Sequence, residues 1–214
     1  MSKAVGFSYQ TEAPGGAQGY IVPLLLKLLA EKQIRGKILD IGCGNGSMAR
    51  SLEASGHEVW GCEWDPAGVE IANRGKPGRF MRWDLNDPQE KFPWRDFQAV
   101  ISSEVIEHLY LPRKLFRLAC QVLVPRGLLI VTTPYHGYLK NLALCLAGKW
   151  DRHHDVLHDG MHIKFFSPET LSEMMQAEGF QEVGWRGCGR LPGLWKSMVM
   201  WGRRNESKQS GSGD

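Results

Sequence analysis

Glu104, Glu107 and His108 lie close together in the sequence, and Asp40 stands just before a turn that holds Gly42, Gly44 and Gly46. Read as helix, positions 104, 107 and 108 are related by steps of three and four, so their side chains share one face. Two carboxylates that close repel each other unless a divalent cation or a proton lies between them. The glycine turn points to different chemistry. Glycines let the backbone approach a ligand with no Cβ in the way, and the turn aims free N–H groups at it. A carboxylate just ahead of such a turn repels a pyrophosphate and suits a ligand that carries an ammonium group.

These groups need a framework, and the chain reads as alternating strands and helices. A helix is expected over about 19–32, then a strand at 37–41 and a helix at 47–55. A strand at 57–63 follows, and a helix begins at Pro66, a good first-turn residue. Further strands are expected at 79–83, 97–103 and 127–133, with a helix over 112–124 that stops before Pro125-Arg126-Gly127. The segment 135–167 has no strand pattern and reads as an insertion. Ser167 then caps a helix that closes at Gly179, with Thr170 in its first turn. Two last strands are expected near 181–186 and 196–202. The fold class is therefore α/β: a doubly wound, mostly parallel, seven-stranded Rossmann-like sheet with an antiparallel last strand and a helical lid insertion. Residues 1–205 are expected to form one domain, and 206–214, rich in Ser and Gly, a disordered tail.

In open sheets of this kind the ligand sits outside the carboxyl ends of the strands. Each such end here carries a suitable group. Asp40 ends the first strand, and Glu63 ends the second, where an acid can accept both hydroxyls of a ribose. Asp84 follows the third strand and can accept from an adenine amino group, while Trp64 offers a flat apolar face. Ser103 ends the fourth. S-adenosylmethionine fits this set, with its ammonium, its ribose and no phosphate. A dinucleotide-binding oxidoreductase fits less well, because Ser47 stands where its third glycine belongs and Asp40 would face the pyrophosphate.

The runs Asp40-Ile-Gly-Cys-Gly-Asn-Gly46, Asp84-Leu85, Ser103-Glu-Val-Ile-Glu-His108 and Leu128-Leu-Ile-Val-Thr-Thr-Pro134, together with Glu63, resemble class I S-adenosylmethionine-dependent methyltransferases over roughly 36–180. The resemblance implies cofactor binding by Asp40, Gly42, Gly44, Gly46, Glu63, Trp64, Asp84, Leu85 and Ser103. Asp is more frequent in the family where this chain has Glu63. Glu-x-x-Glu-His, followed by His162 ahead of the capped helix, resembles two subgroups, the small-RNA 3′-terminal 2′-O-methyltransferases and the ubiquinone-biosynthesis O-methyltransferases. That likeness implies a divalent metal, Mg²⁺ or Zn²⁺, on Glu104, Glu107, His108 and His162. Such a metal would chelate adjacent hydroxyls and lower the pKa of one. His153, His154 and His158 are close enough to replace His162. The same Glu-x-x-Glu-His run occurs in metal-free methyltransferases, so the alternative stays open. In a metal-free site His108 or a histidine of the insertion is the general base. The residues expected to carry catalysis are His108, Glu107 and His162.

At 214 residues, with 43% hydrophobic and 23% charged, the chain has ordinary globular composition. A net charge of +3 is too small to argue for nucleic acid. Five scattered cysteines with no Cys-x-x-Cys pair read as reduced thiols. The first ten residues lack the apolar core of a signal peptide, so the cytoplasm is the expected location, with peripheral membrane contact left open. Tyr138 to Trp150 reads as an apolar helix in which Leu139, Leu142, Ala143 and Leu146 share a face. It is expected to pack as a lid over the site; the competing reading is an interfacial helix that receives a lipid-bound acceptor. The expected function is O-methylation of a small or lipid-linked diol or catechol. The alternatives are 2′-O-methylation of a terminal RNA ribose and a non-catalytic cofactor-binding partner subunit.

Overall fold

The computed structural model describes residues 9–86, 91–150 and 162–206. Seven strands form one sheet: β1 (Lys37–Ile41), β2 (Glu58–Glu63), β3 (Phe80–Arg82), β4 (Phe97–Ser103), β5 (Leu123–Pro134), β6 (Phe180–Cys188) and β7 (Ser197–Arg204). Their order is β3-β2-β1-β4-β5-β7-β6. The first five pair in parallel, while β7 runs antiparallel to both β5 and β6. The antiparallel last strand is as expected. It is not the edge, however: β7 enters the sheet beside β5 and leaves β6 outermost.

Alternation along the strands feeds two cores. Leu39 and Ile41 of β1 face one apolar cluster, and Ile38 faces the other. Such double-sided burial is why the parallel strands read as nearly continuous apolar runs. Helices α1 (Gln18–Glu31) and α2 (Ser47–Ala54) cover one face through Ile21, Leu25, Ala49 and Leu52. Helices α4 (Arg113–Val122) and α6 (Pro168–Ala177) cover the other through Phe116, Ala119, Leu171 and Met175. The start of α6 is fixed by a capping box in which Ser167 and Thr170 satisfy each other's backbone N–H. The short α3 (Pro66–Ala72) is capped by Asp65, whose carboxylate accepts from Ala67 and Gly68 N–H.

Three local expectations need correction. Strand β5 begins at Leu123, not at Gly127, because Arg126 adopts φ +57 and lets Pro125-Arg126-Gly127 bulge while pairing resumes at Leu128. Glu104 to His108 is not one helix. Glu104 has φ +56, and only Ile106–His108 forms a 3-10 turn, so the shared helical face does not exist. The helix of the insertion, α5 (Tyr138–Leu146), stops where Gly148 takes φ +61, short of Trp150. Its leucines do not pack inward. Leu139, Leu142 and Leu146 are 59%, 41% and 80% exposed, and the buried side chain of α5 is Lys140. Residues 207–214 of the expected tail 206–214, and the histidines 153, 154 and 158, lie outside the described residues.

Candidate active site at the carboxyl ends of the strands

The end of β1 and the turn after it form a cradle. Gly42, Gly44 and Gly46 all take positive φ, and a Cβ on Gly42 would strike the Val105 side chain. Asp40 lies at the floor, 2% exposed, with Oδ2 buried and without a hydrogen-bond partner. Burial raises its carboxyl to about 7, and the charge of Glu63 pushes the same way. An orphaned acidic oxygen beneath a glycine turn fits the ammonium of the expected cofactor. The recess above it, about 250 Å³, is lined by Asp40, Gly42, Ser47, Ser103 and Glu104 on one side and by Tyr9 and Gly15 to Gln18 on the other.

Glu63 is turned inward. Its oxygens accept from the N–H groups of Gly44 (2.9 Å), Trp64 (2.8 Å) and Asp65 (3.0 Å). Burial raises its pKa and these bonds oppose the shift. The acid thus braces the glycine turn as well as standing at the expected ribose position. Trp64 is 53% exposed beside it, as a stacking face requires. Asp84 is exposed, and its Oδ1 accepts from Asn86 N–H at 2.8 Å, which holds the turn after β3; Leu85 packs against the core. Ser103 Oγ lies 3.0 Å from Thr132 Oγ1.

The acids after β4 separate into two environments. The Glu104 carboxylate accepts from Thr132 Oγ1 (2.9 Å) and Ser197 Oγ (3.2 Å). Burial raises its pKa, against those bonds and the charge of Lys140. Lys140 in turn is lowered to about 8, first by burial and then by Arg190, and it donates to the Tyr135 carbonyl at 2.7 Å. Glu107 is 1% exposed; Oε2 accepts from Thr133 Oγ1 at 3.0 Å, while Oε1 is buried with no hydrogen-bond partner. Burial, and then the charge of Glu104, hold its carboxyl well above the usual range.

The backbone carbonyl of Glu107 accepts from both Ile163 and Lys164 N–H. That contact brings His162 to His108, the two rings meeting edge to face at 5.0 Å. Ligand-capable atoms of Glu107, His108 and His162 all lie within 4.8 Å of one another. Of the four residues expected to hold a metal, three therefore converge, and Glu104 lies outside the group, bonded to Thr132 and Ser197. Two nitrogens and an unsatisfied carboxylate oxygen suit Zn²⁺ or another borderline divalent ion better than Mg²⁺, which prefers all-oxygen sites.

Sequence reasoning missed the segment that walls the cradle. Asn45 donates to the carbonyls of Thr11 (2.7 Å) and Ala13 (2.9 Å), and Tyr9 N–H donates to Asp65 Oδ2 at 3.0 Å. Asn45 sat inside the recognised motif, but nothing in residues 9–17 announced a role. Ser197 was equally silent, and Thr132 and Thr133, like Asn45, sat inside a recognised run without showing which acid each would bond.

Residues 15–183 match a family model described as a methyltransferase domain. A ubiquinone biosynthesis O-methyltransferase of Azorhizobium caulinodans is 29% identical over 177 residues, 75% of this chain and 65% of that protein. The human mitochondrial ubiquinone biosynthesis O-methyltransferase is 30% identical over 153 residues, 67% of this chain and 41% of that one. The chain thus spans less than two thirds of the length of either relative. Among solved structures, magnesium protoporphyrin IX methyltransferase from Synechocystis PCC 6803 with bound SAH superimposes with a TM-score of 0.63 at 19% identity, covering 89% of this chain and 84% of that one.

Proposed function

The chain belongs to the methyltransferase-domain family as a class I S-adenosylmethionine-dependent enzyme, and from that premise we propose that it methylates a hydroxyl oxygen of a diol or catechol, with a divalent ion in attendance. The observation that carries this reading is the convergence of Glu107, His108 and His162 just after β4, with Glu107 Oε1 buried, without a hydrogen-bond partner and 3.9 Å from His108 Nε2. The names of the relatives agree with an oxygen acceptor.

S-adenosylmethionine supplies a methyl group on a sulfonium, already a good leaving group, so the residues here need mainly to orient. Asp40 would face the ammonium, Glu63 the ribose, and Trp64 the adenine. Ser103 and Glu104 line the recess, and in this reading the methyl end would face the residues that follow them. His108 and His162 would then hold the acceptor oxygen in line with the methyl carbon and sulfur, or take its proton. A divalent ion on Glu107, His108 and His162 would lower the pKa of a chelated hydroxyl.

The exposed leucines of α5, beside exposed Lys149 and Trp150, support a lipid-linked acceptor drawn from a membrane surface. Among the described residues no helix is long and apolar enough to cross a membrane.

A calorimetric titration with S-adenosylhomocysteine and a catechol, with and without Zn²⁺ or Mg²⁺, tests the reading on wild type and Glu107→Ala. Catechol binding that needs the ion and vanishes in Glu107→Ala, with cofactor affinity retained, is the expected result. Catechol binding that ignores both the ion and the substitution would sink the metal-assisted mechanism.

A further inference from the structure

Asp40 is not alone in the cofactor recess in holding an acceptor without a donor. Gln18, the first residue of α1, lines the same recess, and its Oε1 is buried with no hydrogen-bond partner. The other end of that amide is taken, because Nε2 donates to Ser47 Oγ at 2.7 Å. Ser47 is itself buried in the first turn of α2, where its N–H donates to Asn45 Oδ1 at 3.1 Å. The amide is thus pinned from the side of the glycine turn, and its carbonyl oxygen is left over.

A buried acceptor that no donor meets is costly, and such groups are rare in folded proteins. Here two of them, Asp40 Oδ2 and Gln18 Oε1, border one cavity of about 250 Å³. Glu104 adds a further carboxylate to the lining, and among the described residues no lysine or arginine lines it. Such walls reject an anion and suit a positive group that brings several N–H donors. A primary ammonium brings three.

The support beneath Gln18 is firm. Ile21 and Leu25, one and two turns further along α1, are fully buried, and Gln18 N–H donates to the Gly15 carbonyl at 3.0 Å. Ala17, the N-cap, makes no side-chain bond to the first turn of α1. The N–H groups at that helix start suit the carboxylate that an amino acid carries beside its ammonium. An acceptor locked in place before the ligand arrives loses little freedom when it binds.

We propose that Gln18 is a recognition residue for the amino-acid head of S-adenosylmethionine: its Oε1 and Asp40 Oδ2 together accept from the α-ammonium, while Ser47 holds the amide in that orientation. The proposal rests on the cofactor reading given above and adds to it a side chain from outside the glycine motif. Its consequence is selectivity. An adenosine compound without the amino-acid head leaves both oxygens buried and unmet, however well Glu63 and Trp64 suit its ribose and adenine.

Calorimetric titration of the full chain with S-adenosylhomocysteine and with 5′-methylthioadenosine tests it on wild type, Gln18→Ala and Gln18→Glu. Methylthioadenosine keeps the adenosine and the sulfur but has no amino-acid head. Gln18→Ala is expected to lose about 10–100-fold in affinity for S-adenosylhomocysteine, the worth of one hydrogen bond to a charged group, and to lose nothing for methylthioadenosine. Gln18→Glu keeps an acceptor oxygen there and can accept from the Ser47 hydroxyl, so its affinity for S-adenosylhomocysteine should stay within about threefold of wild type. Unchanged binding of S-adenosylhomocysteine by Gln18→Ala would overturn the proposal. Equal losses for the two ligands would overturn it too and make Gln18 a structural support. A loss in Gln18→Glu as large as in Gln18→Ala would remove the acceptor role. In each of these cases methylthioadenosine binding by wild type leaves the cofactor reading standing, whereas a wild type that binds neither ligand strikes that reading and the proposal with it.

Discussion

His162 sets its ring edge to face against that of His108 at 5.0 Å, and the contact is made by the main chain between them. The Glu107 carbonyl takes two N–H groups, from Ile163 at 2.9 Å and Lys164 at 3.0 Å, so the segment before α6 is stitched directly to the turn after β4. The rings are thus placed by backbone bonds that side-chain substitution leaves in place. His108→Ala or His162→Ala should each lower Zn²⁺ affinity about 10–100-fold, and the double variant should lose less than the product of the two. Calorimetry with Zn²⁺ alone decides this. Equal affinity in wild type and both single variants would show that the pair holds no ion.

Glu107 invites an isosteric test. Its carboxyl is held well above the usual range, and a glutamine of the same shape can still accept from Thr133 Oγ1. Glu107→Gln should therefore fold at least as stably as wild type at pH 8 and bind S-adenosylhomocysteine equally well. Methyl transfer to a catechol should fall by about 100-fold. Thermal melts and turnover on one preparation separate the two effects; a variant that keeps full turnover removes Glu107 from the chemistry.

Asp40 predicts opposing trends in stability and binding. With its carboxyl raised to about 7, the folded chain keeps a proton that the unfolded chain releases, so stability falls as pH rises from about 4 to 7. Glu63, also raised, adds to the same slope. Asp40→Asn should gain on the order of 4 kcal/mol over wild type at pH 8 and almost nothing at pH 4. The cofactor ammonium needs the ionised acid, so wild-type affinity should rise with pH up to about 7 and level off, while the asparagine variant binds weakly throughout. Melts and titrations at a series of pH values check both; a flat wild-type binding profile would remove Asp40 from ammonium recognition.

The outer face of α5 gives the last test. Replacing Leu139, Leu142 and Leu146 together by Gln removes exposed apolar surface, which costs the fold little. Sedimentation with anionic vesicles should drop about tenfold, and transfer to a lipid-linked catechol should drop with it, while transfer to a water-soluble catechol stays unchanged. Equal sedimentation of both proteins would show that α5 is not the contact.

The sequence made the cofactor side legible because each of its groups ends a strand. Asp40, Glu63 and Ser103 follow apolar runs that admit one reading, and β1 and β4 have the expected ends. Glu104 was misplaced because i, i+3, i+4 spacing assumes a helix, and a single residue at φ +56 breaks that assumption without any glycine to mark it. The orientation of α5 was hidden for a related reason. An apolar stripe is a signal for burial only where a core stands opposite, and here the packing selected Lys140 for its bond to Tyr135. The segment 9–17 could not be read at all, because Asn45 and Arg50 grip its carbonyls, and carbonyls are the same in every sequence.

The placement of β7 has a consequence for how the site comes into being. Every strand-borne residue of the cofactor cradle is complete by Ser103, within a run of neighbouring parallel strands. Glu104, in contrast, obtains one of its two side-chain hydrogen bonds from Ser197, 93 residues further on, through a strand that must slot in beside β5 after β6 has been made. Closing so long a loop is slow compared with local pairing. During synthesis the chain can thus acquire its cofactor cradle while the acceptor side is still unfinished, and a buried glutamate waits for its last partner until the sheet closes.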